Sequence, residues 1–380
     1  MNVLIITPTY LPRDGGIENS ILETAKKISE KSGNNVSIVT PFIDPNSKNY
    51  EKFGNLEIYR FGKFLCFIQN RFLKFSLFNL TALFYLFYLK IFKKFNFDVI
   101  NTHTVALPGI PSVVLSKIFK KPLVFSIHHY GSGMDIVRPE ENGYLLNKLI
   151  KKLLKYADFI TVTSETQEKY LDYLFGGKKK DLKYFCVPLG INMPEISNSK
   201  NISNNGQFIV FTIGRLVKRK RLDIILNIAE RLSEDKKIVF AIAGSGPEKE
   251  NLEKMILEKD LKNVILLGRV TEEEKVEWFS KSNLFIQSSE YEGFGITYLE
   301  GLSFGIPVLA FKNTAIEEIK RKIGKGVYIF EDVDSAVSQI TEIKSSKLDS
   351  EIIQNKIRKT YSWKKTSEKF EEIFNNLIRN

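Results

Sequence analysis

Short runs of apolar, mostly β-branched residues alternate with longer amphipathic stretches along this chain, and the alternation starts again after residue 207. This pattern is typical of parallel β-sheets covered by helices. It predicts an α/β fold of two doubly wound, Rossmann-like domains, which bind ligands outside the carboxyl ends of their strands. The predicted strands are residues 3–6, 35–40, 56–59, 99–101, 123–127, 159–162 and 184–187, followed by 208–213, 238–243, 264–267, 284–286, 307–310 and 327–329.

A polar stretch rich in Ser and Asn, residues 195–207, separates the two series and predicts a linker. We assign residues 1–195 to an N-terminal domain and residues 196–360 to a C-terminal domain. The tail, residues 361–380, predicts one more helix, since its apolar residues recur at helical spacing. A length of 380 residues agrees with two domains.

The charge is uneven between the two halves. Residues 1–195 hold 26 Lys and Arg against 17 Asp and Glu, a net +9, whereas residues 196–380 hold 30 against 27, a net +3. This asymmetry favours an anionic membrane or an anionic substrate; no nucleic-acid-binding motif accompanies it, and we expect no nucleic-acid partner. Cys66 and Cys186 show no ligand or redox spacing. The first residues resemble a strand rather than a signal peptide, which predicts a cytoplasmic protein.

Two carboxylates flank a Gly-Phe-Gly turn between a predicted strand and a predicted helix. Glu292 falls in the turn, and Glu300 falls about one turn inside the helix. Backbone amides at such a helix start bind anions. The segment therefore offers amides for a phosphate and carboxylates for hydroxyl groups, a combination that suits a nucleotide sugar.

A basic loop follows the first strand of the C-terminal domain. Gly214 allows a tight turn, and Arg215 and Lys220 then supply a guanidinium fork and a point charge that suit a diphosphate. Two further glycine pairs also follow predicted strands, Gly15-Gly16 and Gly244-x-Gly246. Each is weak evidence alone, and neither completes the dinucleotide-binding fingerprint.

All three histidines, His103, His128 and His129, come at the ends of predicted strands of the first domain. One histidine there would be structural, whereas three together favour a function. We expect no metal, because no carboxylate with suitable spacing accompanies them. Asp332-x-Asp334 resembles a metal–diphosphate motif, but its position before a predicted helix favours N-capping.

These motifs, in this order, resemble those of the large retaining glycosyltransferase family called group 1 or family 4. The residues that carry the resemblance are Gly15-Gly16-x-Glu18, His128, Gly214-Arg215, Lys220, Gly244-x-Gly246, Glu292-Gly-Phe-Gly, Glu300 and Gly305-Ile306-Pro307-Val308. The resemblance covers nearly the whole chain, most specifically residues 208–310. It implies the GT-B fold, in which two domains face each other across a cleft and a C-terminal helix crosses back to the first domain.

The resemblance also implies roles for individual residues. Glu300 would bind the ribose of the donor, and Arg215 and Lys220 the leaving diphosphate. Glu292 would hold hydroxyls of the transferred sugar, and His128 that sugar or the acceptor. The remaining donor contacts would be Gly16, Val270, Gly293, Phe294, Gly295, Ile296 and Thr297.

The implied reaction moves a hexose from a UDP- or GDP-sugar to a glycan or a lipid-linked acceptor, with retention and without a metal or other cofactor. Two departures occur: Lys218-Arg219 replaces the common Pro-Glu, and Arg221 stands where glycine is common. Three alternatives stay open: a nucleotide-sugar epimerase, an inverting transferase of the same fold, and a binding protein without catalysis.

Residues 61–97 contain thirteen Phe or Tyr, six basic residues and no acidic residue. The uncharged run, residues 75–89, is shorter than a bilayer span of about 20 residues, which disfavours a transmembrane helix. Helical spacing predicts that an inner stripe packs on the sheet and that the rest contacts an anionic membrane surface. We expect the stripe to consist of Leu73, Leu77, Leu80, Phe84, Phe87, Ile91 and Phe95.

Overall fold

The computed structural model describes residues 1–12, 15–128, 144–177, 182–194, 206–346 and 348–379. The chain divides into two compact units: unit 1 is Met1–Gly190 with Trp363–Asn380, and unit 2 is Ile191–Ser362. The predicted linker lies almost wholly outside the described residues. The first division falls at Gly190, five residues before the predicted boundary. A Cβ atom on Gly190 would lie 2.3 Å from the backbone N of Trp363, so a residue without a side chain allows this close approach.

Unit 1 contains an eight-stranded sheet in the order β3-β4-β2-β1-β5-β6-β7-β8, parallel except for the β3–β4 pair. β1 contributes alternate residues to the buried clusters on the two faces, Leu4 and Ile6 to one and Val3 and Ile5 to the other. Burial on both faces explains why its sequence is continuously apolar. The strands are β1 (Asn2–Ile6), β2 (Asn35–Pro41), β3 (Tyr50–Phe53), β4 (Leu56–Phe61), β5 (Val99–His103), β6 (Leu123–Ile127), β7 (Phe159–Val162) and β8 (Tyr184–Cys186).

The helices of unit 1 are α1 (Gly16–Ser29), α2 (Arg71–Phe92), α3 (Gly109–Phe119), α4 (Tyr144–Leu154), α5 (Glu165–Phe175) and the final helix of the chain, α13 (Trp363–Arg379). α13 buries Phe370 and Phe374 in the same cluster as Ile21 and Ala25 of α1. Its Glu371 also accepts hydrogen bonds from Lys31 and Asn34. The C-terminal helix is thus part of unit 1.

The predicted inner stripe of α2 is largely wrong. Leu73, Leu80, Phe84 and Ile91 are 50–66% exposed. The buried residues lie on another face of the helix: Phe78, Ala82, Leu86 and Leu89. α2 is apolar around nearly its whole circumference, so hydrophobic spacing could not decide which face turns inward.

Unit 2 contains a six-stranded parallel sheet in the order β11-β10-β9-β12-β13-β14. Its strands are β9 (Phe208–Ile213), β10 (Ile238–Ala243), β11 (Val264–Gly268), β12 (Leu284–Gln287), β13 (Val308–Phe311) and β14 (Val327–Phe330). Its helices are α6 (Leu222–Arg231), α7 (Lys249–Glu258), α8 (Glu272–Lys281), α9 (Ile296–Ser303), α10 (Thr314–Ile323), α11 (Val333–Ser345) and α12 (Ser350–Thr360).

Candidate active site

The loops after β9 and β12 lie side by side at the carboxyl edge of the unit 2 sheet. β9 pairs with β10 on one side and with β12 on the other, so the strand order changes direction there. In open parallel sheets this switch point is where ligands bind. The two predicted donor-binding motifs follow these strands: residues 214–220 come after β9 and residues 288–295 after β12.

Hydrogen bonds tie the two loops together. The Ser288 hydroxyl lies 2.8 Å from the carbonyl oxygen of Lys220 and 2.6 Å from that of Arg221. The backbone N–H of Glu290 donates to the carbonyl oxygen of Arg219 at 3.1 Å. The side chains that the loops carry are therefore held on one connected backbone.

Lys220 and Glu292 form a mostly buried ion pair. The Lys220 Nζ atom lies 2.5 Å from Glu292 Oε1, and the two side chains are 10% and 13% exposed. Arg219 adds a second cation, with its Nη1 atom 3.8 Å from the same oxygen. Two residues that the sequence assigned to different ligand groups thus contact each other directly.

The pKa of Glu292 reflects this environment. Burial acts to raise the pKa, but the charges of Lys220 and Arg219 outweigh it and hold the pKa of Glu292 below its ordinary value. Glu292 is therefore an anion at neutral pH. Since its pKa is lowered by folding, the pair stabilises the fold above the ordinary carboxyl pKa and loses that effect as the pH falls through the lowered pKa.

Arg215 differs from Arg219 and Lys220 on the same loop because it is exposed. Among the described residues its guanidinium forms no ion pair and no hydrogen bond, so its charge is available to a ligand. The glycines of Gly244-x-Gly246 pack behind this loop. A Cβ atom on Gly244 would lie 1.8 Å from the carbonyl oxygen of Gly214, and one on Gly246 would lie 2.3 Å from that of Leu216. These glycines allow the two backbones to approach closely.

Arg221 occupies a left-handed backbone conformation, with φ 46°. Glycine adopts this conformation without steric cost, which accounts for its frequency at this position in the family that the sequence resembles. Here the arginine side chain forms ion pairs with Asp223 at 3.0 Å and Glu290 at 3.3 Å.

The segment from Gly293 to Thr297 leads into α9 with no side-chain hydrogen bond at the helix start, where Gly295 is the N-cap residue. The first amides of a helix lack intrahelical acceptors, so they can bind an anion. The Thr297 hydroxyl donates to Gln287 Oε1 at 2.9 Å, which ties the first turn of α9 to the end of β12.

Gly295 should tolerate no side chain. It has φ 79°, and a Cβ atom would lie 2.3 Å from Cδ2 of the fully buried Tyr298. We expect Gly295→Ala to lower the free energy of unfolding by about 3 kcal/mol, combining left-handed strain with overpacking. Gly33 is a matched control, because it has φ 80° and open space around its Cβ position. Gly33→Ala should lower the free energy of unfolding by only about 1 kcal/mol. Urea titration measures both variants, and an equal decrease in the two would refute the clash with Tyr298.

Glu300 has a partner that sequence reasoning missed. Lys275 in the first turn of α8 places its Nζ atom 3.0 Å from Glu300 Oε1 and 2.6 Å from Glu272 Oε2. Burial acts against the charged amine, but the two carboxylates outweigh it and raise the pKa of Lys275. The i, i+3 spacing of Glu272 and Lys275 is typical of a surface ion pair and does not indicate a contact with Glu300. Val270, the predicted base contact, is half-buried before α8.

In unit 1, Gly16 is the first residue of α1, and no side chain caps this helix. The nearby Glu18 is buried and accepts a hydrogen bond from the Thr9 hydroxyl at 2.7 Å. His128 directly follows β6, and its Nε2 atom lies 2.6 Å from Nδ1 of His103 at the end of β5. Two of the three histidines are therefore in contact, and His129 lies outside the described residues.

Within the described ranges, no three His, Cys, Asp or Glu side chains are grouped as metal ligands. In the Asp-x-Asp motif, Asp332 caps α11 by accepting from the Ser335 backbone N–H at 2.7 Å. Asp334 instead pairs with Arg231 at 2.8 Å. The capping residue is thus the first aspartate of the motif.

Two doubly wound parallel-sheet units define the class of this protein as a GT-B glycosyltransferase fold. Solved structures of other proteins match this fold over nearly the whole chain. Sucrose-phosphate synthase from Thermosynechococcus elongatus matches with a TM-score of 0.81 at 17% identity, covering 100% of this chain and 99% of that one. The Anabaena protein HepE, solved in complex with UDP-glucose, matches with a TM-score of 0.72 at 16% identity, covering 99% and 100%.

Sequence comparison defines the family. The model described as "Glycosyltransferase Family 4" matches residues 14–193, and that described as "Glycosyl transferases group 1" matches residues 194–360. The alpha-monoglucosyldiacylglycerol synthase of Streptococcus pneumoniae is 26% identical over 84% of this chain and 73% of its own length. An uncharacterized glycosyltransferase of Methanocaldococcus jannaschii is 25% identical over 99% and 98%. The chain belongs to the group 1 glycosyltransferases, as the motifs predicted.

Proposed function

We propose that this protein is a retaining, metal-independent glycosyltransferase that moves a hexose from a UDP- or GDP-sugar to a lipid-linked or glycan acceptor. The observation that carries the proposal is the cationic group at the unit 2 switch point. Arg215, Arg219 and Lys220 supply three positive charges against the one negative charge of Glu292. This surplus of two charges suits a diphosphate leaving group without a metal ion.

We propose for the site residues the roles that the family resemblance implies. Arg215 and Lys220 stabilise the charge that develops on the diphosphate, together with the amides of residues 293–297 and of Gly16. Glu300 binds the ribose hydroxyls, and Val270 lies against the base. His128 contacts the transferred sugar or the acceptor.

Glu292 is proposed to position hydroxyls of the sugar rather than attack its anomeric carbon. Its carboxylate is held by Lys220 and Arg219, and this ion pairing lowers its nucleophilicity. In the proposed front-face displacement, the acceptor oxygen forms a bond to the anomeric carbon as the bond to the diphosphate oxygen breaks. The proton of the acceptor hydroxyl passes to that leaving oxygen, so the step needs no protein base.

The names of relatives support the acceptor and the stereochemistry. The Streptococcus pneumoniae and Acholeplasma laidlawii relatives are alpha-monoglucosyldiacylglycerol synthases. A Staphylococcus aureus relative, 30% identical over 48% of this chain, is a poly(ribitol-phosphate) alpha-N-acetylglucosaminyltransferase. An alpha-linked product from an alpha-linked donor such as UDP-glucose requires retention.

The function is tested by incubating the protein in EDTA with UDP-, GDP- and ADP-sugars, with and without a diacylglycerol glycolipid acceptor. We expect nucleoside diphosphate release with one donor type and a product whose anomeric configuration, read by NMR, equals that of the donor. A product of inverted anomeric configuration would identify an inverting transferase. A sugar that is converted while it stays on the nucleotide would identify an epimerase. Binding without turnover would favour a binding protein.

We also propose that α2 places the protein on the cytoplasmic surface of an anionic membrane. The residues that α2 exposes are mainly apolar and lie on the side opposite its buried face: Leu73, Leu80, Phe84, Tyr88, Ile91 and Phe92. Phe64 and Phe67 just before it are 49% and 72% exposed. Residues 61–97 carry six basic residues and no acidic one, so their charge complements anionic lipid.

The segment Leu73–Phe92 of α2 meets the length and composition of a bilayer span, and 22% of it is buried. The shortness of the uncharged run, residues 75–89, therefore does not exclude a transmembrane helix. The buried side chains do favour surface contact, because Phe78, Ala82, Leu86 and Leu89 belong to the core of unit 1 and a span would remove them from it.

Binding to vesicles should therefore depend on both charge and apolar contact. We expect co-sedimentation with vesicles containing phosphatidylglycerol and at least tenfold weaker binding in 0.5 M NaCl, since salt screens the attraction. Phe84→Ser should weaken binding, because Phe84 is 66% exposed; Leu257→Ser is the control, as Leu257 is 82% exposed on α7 in unit 2. Equal binding by both variants, or no salt dependence, would refute this surface.

A further inference from the structure

A chain of buried hydrogen bonds crosses three neighbouring strands of unit 1. The Thr161 hydroxyl on β7 donates to Ser126 Oγ on β6 at 2.8 Å. The Ser126 hydroxyl donates to Asn101 Oδ1 on β5 at 2.8 Å. The Asn101 side chain is hydrogen-bonded to His103, and His103 is hydrogen-bonded to His128 at the end of β6. All five side chains are at most 7% exposed.

Each link of this chain has a direction. The Ser126 hydroxyl has a single hydrogen. Because its oxygen accepts a hydrogen bond from Thr161, that hydrogen is donated to Asn101. This contact orients the Asn101 amide with its oxygen towards Ser126 and its NH2 group 3.3 Å from His103 Nε2. An amide NH2 group can only donate, so His103 Nε2 accepts.

The direction continues into the histidine pair. With Nε2 as acceptor, neutral His103 carries its hydrogen on Nδ1, which lies 2.6 Å from His128 Nε2. Burial, with the neighbouring His128 adding to it, holds the pKa of His103 well below its ordinary value, in keeping with a neutral ring. His128 Nε2 must then accept, which leaves the hydrogen of neutral His128 on Nδ1.

We propose that His103 is a positioning residue that holds His128 in the Nδ1–H tautomer, so that His128 presents a hydrogen-bond donor to a sugar or acceptor oxygen. The hydrogen bonds from Thr161 to Ser126 and from Ser126 to Asn101 determine which atom donates in each later link. The inference rests on the proposed function for the identity of the ligand, but the tautomer is a property of unit 1 alone. The two ring planes are 13° apart and the ring centroids 4.9 Å apart, so the rings lie edge to edge in nearly one plane, as an N–H···N hydrogen bond between them requires.

The experiment is a long-range 1H–15N correlation spectrum of the full chain labelled with 15N-histidine. Only three histidines are present, so single substitutions assign the signals. We expect the Nδ1–H tautomer for both His103 and His128 in the wild-type protein. An Nε2–H tautomer or a cation at His128 would overturn the proposal, whether or not the protein has transferase activity.

Substitutions test the link between the two rings. His103→Phe keeps an aromatic ring at this position but removes the donor, and Ser126→Ala frees the Asn101 amide to turn over. Both should abolish the preference of His128 for Nδ1–H and lower kcat at least tenfold, with KM for the donor changed less than threefold. Thr102→Val is the control, because the buried Thr102 hydroxyl bonds Ser112 instead, at 2.7 Å. An unchanged His128 tautomer in His103→Phe, or the same loss of kcat in Thr102→Val, would contradict the positioning role.

Discussion

Lys220→Met is expected to lower both the stability and the activity of this protein. The substitution leaves the Glu292 carboxylate mostly buried, with Arg219 at 3.8 Å as its remaining cation. Loss of one partner from a buried ion pair costs about 3 kcal/mol in the free energy of unfolding, which urea titration measures. The value of kcat/KM should fall roughly 100-fold or more, since a charge that stabilises the leaving group is lost.

Two further variants separate these effects. Adding Glu292→Gln to Lys220→Met removes the uncompensated charge, so most of the stability should return while activity stays low. Lys218→Met is the matched control, because Lys218 is exposed on the same short turn, and it should leave both quantities nearly unchanged. If Lys220→Met unfolds at the wild-type urea concentration, the pair does not stabilise the fold.

Glu292→Gln and Glu300→Gln should have different kinetic effects. Glu292→Gln should lower kcat roughly 100-fold and change the Kd of the nucleoside diphosphate less than threefold, because Glu292 is proposed to contact the sugar. Glu300→Gln should raise that Kd roughly tenfold, the effect of weakening a hydrogen bond to a charged group. Calorimetric titration and steady-state kinetics measure the two quantities.

The control for this pair is Glu290→Gln. Glu290 lies two residues from Glu292 on the same loop, but its side chain is 49% exposed and pairs with Arg221. It should behave as the wild type in both measurements. Small and equal effects of Glu292→Gln and Glu300→Gln would show that the site is assigned to the wrong residues.

The strand positions of both units could be predicted because a strand buried on both faces needs a continuous apolar run. β1 and β9 are examples, with four of five and four of six residues buried. β3 was not predicted, since the sequence Tyr-Glu-Lys-Phe is mostly exposed at the edge of the sheet and carries no such run. It forms by antiparallel pairing with β4, which supplies backbone hydrogen bonds rather than a core.

Predicted site residues 215–220 and 292–295 of unit 2 fall on the loops after the adjacent strands β9 and β12, as expected from the motifs and the parallel sheet, whereas Val270 follows β11 and Glu300 lies within α9. Their partners could not be predicted in the same way. Lys275 lies 25 residues before Glu300 in the chain, and Lys220 lies 72 residues before Glu292. Separations of this size carry no local periodicity, so only the folded chain identifies the pairs.

Local sequence is sufficient to predict the fold class, the strands that the motifs follow, and the family. The reason is that strands, turns and glycine-dependent loops depend on neighbouring residues. Tertiary structure decided which face of α2 turns inward, which cations neutralise Glu292 and Glu300, and which histidine contacts His128. Each of these depends on side chains brought together from distant segments, where burial strengthens charge pairing and hydrogen bonding. The chemistry of Glu292 is therefore set by Lys220 and Arg219 as much as by its own motif.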